Sequence, residues 1–185
     1  MTNTSPNSKK ISYAEILQEL DGLLTGRWIT DLANVSATLH QHVSDINWVG
    51  FYLTDLAAPT NLAGATDLAN PNELKDANKN AEPILWLGPF QGLPACTMIP
   101  FSKGVCGAAA TQRKSLRVDD VDLFPGHIVC DSRSKSEVVV PLIQNDKVIG
   151  VLDVDSATKA RFTNEEQLFF EKVVSLLLSK TKEVL

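Results

Sequence analysis

The sequence predicts one α+β domain in which a central antiparallel sheet packs against helices from both ends of the chain. Three observations support this prediction. Amphipathic segments lie near both termini, β-branched and aromatic segments lie between them, and two of these are joined by a short polar turn typical of a β-hairpin. The length of 185 residues suits one domain with additional loops.

The N-terminal region predicts two helices after a polar tail of residues 1–10. Residues 13–24 carry isoleucine and leucine at helical spacing, and Gly26 follows as a stop signal. A second helix begins near Trp28 and ends before Asn47, because apolar residues recur there every three or four positions. Both helices should pack an apolar face on the sheet.

Two predicted strands are separated by a segment of different composition. Residues 48–53 and 84–87 are short, apolar and rich in β-formers, so each predicts a strand. Residues 56–83 are rich in Pro, Asn and Ala and contain no aromatic residue, Val or Ile. We expect them to form a mobile surface insertion that the domain does not need in order to fold.

The middle of the chain predicts short elements. The turn-rich residues 88–92 lead to a strand at 96–99, and the Ala-rich residues 104–111 predict a short helix. A strand at 116–118 precedes an irregular segment, 119–136.

A hairpin and a helix complete the domain. The β-branched runs 138–143 and 148–154 flank Asn145-Asp146-Lys147, which predicts a hairpin turn. Thr163 and Glu166 form a capping-box pattern, so the final helix begins there and continues to the C-terminus. With this helix, residues 11–185 form the predicted domain.

Charge and hydropathy exclude several classes of partner. The formal net charge is −5 and no basic cluster is present, which argues against a nucleic-acid partner. No apolar run approaches the roughly 20 residues that cross a bilayer, and the polar N-terminus does not resemble an export signal. We expect a cytoplasmic protein without a membrane partner.

Three cysteines, Cys96, Cys106 and Cys130, are the candidate reactive groups. One thiolate could attack an electrophile and a second thiol could close a disulfide onto the product, but three inert buried thiols would look the same in the sequence. The polar loop around Cys130 favours a reachable thiol of lowered pKa. His127 and Cys130 could ligate a metal, yet the closely spaced cysteine pairs of zinc sites are absent, so no metal is expected.

The second group of candidates consists of carboxylates. Asp153 and Asp155 alternate with Val154 in an apolar strand, so both side chains should project from one face. An amine-bearing ligand would explain two like charges there, and so would a solvent-facing strand end. Taken singly, Glu137 and Asp119 look like ordinary surface acids.

Six short motifs follow one another along the chain. They are Asn47-Trp48-Val49-Gly50-Phe51-Tyr52, Gly88-Pro89-Phe90-Gln91-Gly92, Gly104-Val105-Cys106-Gly107, Gly126-His127-Ile128-Val129-Cys130-Asp131, Ser136-Glu137-Val138-Val139-Val140-Pro141 and Gly150-Val151-Leu152-Asp153-Val154-Asp155-Ser156. Together they resemble the free methionine-(R)-sulfoxide reductases, which are single-domain GAF proteins. The insertion at 56–83 departs from the family, which usually has a tight connection there.

The resemblance implies a thiol reaction on the R epimer of free methionine sulfoxide. In the family's scheme Cys130 attacks the sulfoxide sulfur, releases methionine and becomes a sulfenic acid, and Cys96 then closes a disulfide. Cys106 is the family's third thiol, and whether it relays or attacks stays open. Thioredoxin, recharged from NADPH, is the implied reductant, with no bound cofactor, and a homodimer is the implied assembly.

The resemblance also implies the substrate site. The acidic pocket that holds the sulfoxide and the substrate ammonium would consist of Asp119, Glu137, Asp153 and Asp155. Trp48 would pack against the terminal methyl group, and Tyr52 would complete the wall. The alternative is a non-catalytic GAF module that senses a small ligand, although we expect no second domain here to receive its signal.

Overall fold

The computed structural model describes residues 11–54 and 82–181. Within these residues the chain forms four helices and six strands, which confirms the α+β class. In chain order they are α1 (Tyr13–Leu23), α2 (Trp28–His42), β1 (Trp48–Leu53), β2 (Ile84–Gln91), β3 (Met98–Pro100), α3 (Gly104–Gln112), β4 (Leu116–Val118), β5 (Ser136–Gln144), β6 (Lys147–Ser156) and α4 (Asn164–Lys180). A 3-10 turn, Val121–Leu123, follows β4.

The six strands form one antiparallel sheet in the order β3-β2-β1-β6-β5-β4. Strand β6 therefore lies between β1 and β5. Its backbone pairs on both sides, and its side chains are covered by the layers above and below the sheet. Any polar side chain on β6 is thus held rigidly between two neighbouring strands.

The sheet separates two hydrophobic clusters. Helices α1, α2 and α4 cover one face, where Phe51 and Leu152 lie in the larger cluster. Helix α3 covers the other face, where Tyr52 and Val151 lie in the smaller cluster. Because side chains alternate along a strand, Asp153 and Asp155 lie on the same face as Val151, under α3.

The predicted hairpin and the predicted cap are both confirmed. Asn145 and Asp146 connect β5 to β6 with φ values of 50° and 59°, the positive values that a two-residue type I′ turn requires. At the start of α4, Thr163 Oγ1 accepts from the Glu166 backbone N–H, and Glu166 Oε2 accepts from the Thr163 N–H at 2.9 Å. These interactions are local, so they can be recognised in the sequence.

Two predicted strand boundaries are wrong, because tertiary pairing decides them. Strand β2 continues through the supposed turn to Gln91, since Gly50 on β1 leaves room for Phe90: a Cβ at Gly50 would lie 2.3 Å from Phe90 Cβ. Strand β3 begins at Met98 rather than at residue 96. Cys96 consequently lies in the loop before β3.

The predicted insertion at 56–83 lies almost wholly outside the described residues, so its mobility and dispensability stay predictions. Within the described ranges, no helix is long and apolar enough to cross a membrane.

Candidate active site

A small cavity lies between the N-terminus of α3, the loop of residues 126–135, and strands β5 and β6. Its volume is about 30 Å³, room for about one water molecule. The side chains that carry chemistry in its lining are Cys106, His127, Cys130, Asp131, Ser134, Glu137, Asp153 and Asp155. It therefore brings together two of the three candidate cysteines and three of the four candidate acids.

A larger, open cavity of about 750 Å³ lies at the other end of the sheet, between Thr54, Phe101 and Arg113. None of the described residues that line it is a predicted site residue. Size alone would favour this cavity, but the candidate reactive side chains lie in the smaller one.

Strand register explains why the acids meet. Glu137 on β5 pairs directly with Asp155 on β6, and Asp153 lies two residues along the same face. Glu137 is only 5% exposed and Asp153 only 6%. Glu137 Oε1 and Asp153 Oδ1 have no hydrogen-bond partner within the described part of the chain. Buried carboxylate oxygens without donors are costly unless they bind a proton or a cation.

Burial makes this cluster hold protons. Burial and the charges of Asp153 and Asp155 raise the pKa of Glu137 well above its usual range. The pKa of Asp155 is also raised well above its usual range, by burial and by the charge of Asp153. Asp153 is shifted less, to a pKa of about 6, because burial is opposed by hydrogen bonds from Cys106 and Glu137. Near neutral pH, Glu137 is thus a proton donor beside the more acidic Asp153.

Replacing Glu137 by glutamine is expected to stabilise the protein at high pH. Because the pKa of Glu137 is raised on folding, the native state retains a proton that the unfolded chain releases above pH about 4.3. The free energy of unfolding therefore falls as pH rises through the window between the two pKa values. Glu137→Gln removes this fall in the free energy of unfolding, which amounts to about 1–3 kcal/mol at pH 8.

Thermal unfolding of both proteins at pH 4 and pH 8 checks this expectation. The melting temperature of the variant relative to the native protein should rise between the two pH values, by several degrees. Glu165→Gln, an exposed acid in the first turn of α4, is the matched control and should show little change. A constant difference between native and Glu137→Gln proteins at both pH values would contradict a raised pKa.

Cys96 and Cys130 form a disulfide at the edge of the cavity, as the family resemblance implied. The bond joins residues 34 apart in the sequence, with a Cα–Cα distance of 5.1 Å. Both cysteines are partly exposed. The bond links the loop before β3 to the loop of residues 126–135, so one sulfur faces the cavity while the pair stays accessible from outside.

Asp131 anchors the loop that carries Cys130. Its Oδ2 accepts from Asn47 Nδ2 at 3.0 Å and from Arg133 Nη2 at 2.6 Å. The hydrogen bonds from Arg133 lower the pKa of Asp131 to about 2. The sequence motifs contain Asn47 and Asp131, but only the tertiary contact shows that one holds the other.

Cys106 is a buried free thiol on α3, in the acidic cluster and outside the disulfide. Burial and the charges of Asp153 and Glu137 raise its pKa well above the usual range, and the thiol donates to Asp153. Protonated and buried, Cys106 lacks the thiolate character of an attacking cysteine.

Trp48 and Tyr52 lie behind the cavity rather than in its lining. Trp48 stacks on Tyr52 and on Phe90, with ring centroids 5.8 and 5.3 Å apart, and its Nε1 donates to the Leu93 carbonyl at 3.1 Å. Burial and the nearby Asp153 raise the pKa of Tyr52. Both rings share a hydrophobic cluster with Cys106, so they support the site from the β1 side.

The structure does not bring Asp119 into the cavity. Its side chain is 60% exposed and pairs with Arg117, at 3.6 Å between Oδ1 and Nε. Val118 is the last β4 residue to pair with β5, opposite Glu137, and Asp119 continues past the strand end, where its carbonyl accepts from the Ala160 N–H. In this structure the cavity therefore brings together three of the four expected acids, and a substrate-binding role for Asp119 stays a prediction.

Sequence reasoning assigned no role in the site to His127 and Ser134, which line the cavity. Burial lowers the pKa of His127, and its Nδ1 has no partner within the described residues. Ser134 is buried and donates to Asp155. His127 could have been found, because it belongs to the same motif as Cys130, whereas Ser134 has no signal of its own.

Comparison with known proteins agrees with this geometry. The GAF domain family model matches residues 29–179. The chain is 37% identical over 167 residues to the free methionine-R-sulfoxide reductase of Escherichia coli (strain K12), covering 89% of this chain and 86% of that protein. It is 39% identical over 181 residues to the enzyme of the same name from Saccharomyces cerevisiae, covering 92% and 88%.

A solved structure shows the same likeness in three dimensions. The X-ray structure of free methionine-R-sulfoxide reductase from Neisseria meningitidis in complex with its substrate aligns with a TM-score of 0.75 and 34% identity, covering 97% of this chain and 94% of that one. Identity above a third over nearly the whole of both chains goes well beyond a shared fold. This chain has a GAF domain and belongs to the family of the free methionine-R-sulfoxide reductases.

Proposed function

We propose that this protein reduces free methionine (R)-sulfoxide to methionine, with Cys130 as the attacking thiol and Cys96 as the resolving thiol. The observation that carries the proposal is the Cys96–Cys130 disulfide at the edge of a cavity lined by three acids. Relatives named for this activity support it, one of them crystallised with its substrate.

The first chemical step needs a thiolate and a proton donor. The Cys130 thiolate attacks the sulfoxide sulfur while the sulfoxide oxygen takes a proton from Glu137, the protonated acid of the cluster. The oxygen is transferred to Cys130 as a sulfenic acid, and methionine leaves with its sulfur reduced. The cysteine sulfur loses the two electrons that the sulfoxide gains.

The second step removes the sulfenic acid. The Cys96 thiol attacks the Cys130 sulfenic sulfur, water leaves, and the disulfide forms. The backbone positions of this pair already permit a bond, with a Cα–Cα distance of 5.1 Å, so the step needs no large rearrangement of the β-sheet.

The unpartnered carboxylate oxygens supply the amine site. Glu137 Oε1 and Asp153 Oδ1 face the cavity without donors, and a substrate ammonium brings three. In the disulfide state the cavity holds about 30 Å³, whereas small-molecule pockets usually span about 300–1,000 Å³. Reduction of the disulfide therefore has to free the loop of residues 126–135 before the substrate binds, and Trp48 and Tyr52 then form the wall behind its methyl group.

The catalytic cycle closes when an external dithiol reduces the disulfide. Thioredoxin, recharged from NADPH, fits this role because both cysteines are partly exposed. The cycle needs no bound cofactor, and we expect the protein to form a homodimer, as the family resemblance implies.

An assay with purified protein, dithiothreitol and free methionine (R)-sulfoxide tests the proposal. Methionine should form catalytically without any protein reductant. Substrate binding without turnover would instead support a ligand-sensing GAF module and overturn the enzyme assignment.

Replacing Cys96 by serine is expected to separate the two steps. The variant should release about one methionine per chain in a single turnover, because attack by Cys130 is untouched, and then stall when thioredoxin is the reductant. Quenched-flow counting of methionine measures both phases. Absence of methionine in the first turnover would mean that Cys96 is the attacking thiol.

A further inference from the structure

We propose that Cys106, Glu137 and Asp153 form a binding site for one thiophilic divalent cation, such as Zn²⁺. One ligand atom from each side chain lies within 4.8 Å of the others, and all three residues are buried. They come from α3, β5 and β6, so three separate elements fix the site. This departs from the sequence-based expectation of no metal, which considered only His127 and Cys130.

The cavity has the size and the acceptors for an ion. Glu137 Oε1 and Asp153 Oδ1 have no hydrogen-bond partner in the described residues, and the two residues are only 5% and 6% exposed. The volume of about 30 Å³ admits one ion or one water and excludes an amino acid. In the disulfide state, a cation satisfies these oxygens where the substrate cannot enter.

The ligand set selects the kind of cation. A thiolate with two carboxylates suits Zn²⁺ or Co²⁺, whereas Mg²⁺ and Ca²⁺ prefer oxygen ligands alone. Zinc bonds of about 2.3 Å to sulfur and about 2.0–2.2 Å to oxygen place tetrahedral ligands roughly 3.5 Å apart. The three ligand atoms therefore have to approach one another by up to about 1.3 Å from their present separations.

Binding should release protons from Cys106 and Glu137, because only the thiolate and the carboxylate ligate a metal. Affinity for the cation should therefore rise with pH. The other titratable groups around the three ligands are Tyr52 on β1, His127 and Asp131 in the loop, and Asp155 on β6. None of these needs to change its protonation for the cation to bind.

A bound cation would occupy the position that the proposed function gives to the substrate ammonium. This consequence alone rests on the proposed function. Zn²⁺ should then inhibit the turnover of methionine sulfoxide, and excess chelator should restore it.

Cobalt titration of the oxidised full-length protein tests the site directly. The Cys96–Cys130 disulfide removes both other thiols, so Cys106 is the remaining thiol in the chain. We expect one Co²⁺ per chain with thiolate-to-cobalt charge-transfer absorption, which Zn²⁺ then abolishes by displacement. Cys106→Ser should lose this absorption, and Glu137→Gln should bind Co²⁺ at least tenfold more weakly.

Asp122→Asn, an exposed acid outside the cavity, is the matched control and should bind Co²⁺ as the native protein does. Circular dichroism confirms that each variant is folded. Titration without charge-transfer absorption, or absorption that persists in Cys106→Ser, would overturn the site. Turnover measured with a chelator present tests the proposed function separately, so either result can fail while the other stands.

Discussion

Replacing Cys130 by serine is expected to abolish catalytic reduction of free methionine (R)-sulfoxide, with a fall in kcat/KM of about 10³-fold or more. A serine hydroxyl is scarcely ionised at neutral pH and is a far weaker nucleophile towards sulfur than a thiolate. The fold should be retained, because Cys130 lies in a partly exposed loop and packs only against the outside of the smaller hydrophobic cluster, where serine is close to it in size.

Methionine formation with dithiothreitol as reductant measures this loss. Cys106→Ser is the matched control: serine can still donate a hydrogen bond to Asp153, so turnover should stay within about tenfold of the native value. Turnover retained in Cys130→Ser and lost in Cys106→Ser would move the attack to Cys106, in spite of its burial and its raised pKa.

Acetylation of the substrate amine is expected to lower kcat/KM by tens- to hundreds-fold. Glu137, Asp153 and Asp155 leave at least two buried carboxylate oxygens without donors, and only a charged ammonium supplies both charge and hydrogens. An amide nitrogen carries no positive charge. An unpaired buried acceptor costs about 1–3 kcal/mol, which sets the expected range.

The ratio of kcat/KM between free and N-acetylated methionine (R)-sulfoxide measures this selectivity. The free S epimer should also react poorly, because with its amine and methyl group held, its oxygen points away from Glu137. A ratio near one would show that the site recognises only the thioether end of the substrate, and would contradict the ammonium site.

Local patterns predicted most of the fold. The α4 capping box involves residues three apart, and the hairpin turn depends on two residues that tolerate positive φ. Interactions over such short separations are encoded in short stretches of sequence. The end of β2 was predicted wrongly, because it depends on the space that Gly50 leaves on the neighbouring strand. The start of β3 was predicted wrongly, because it depends on pairing with β2, which begins at Met98.

The sequence by itself determined the set of candidate reactive residues, through the three cysteines, the family motifs and the shared face of Asp153 and Asp155. Only the tertiary structure decided which of them meet. The register of β5 against β6 places Glu137 opposite Asp155, while Asp119 passes the strand end into solvent. Strand register and loop packing depend on many contacts between residues that are distant in sequence. The residues next to an acid at a strand end therefore do not reveal whether its side chain faces the cavity or water.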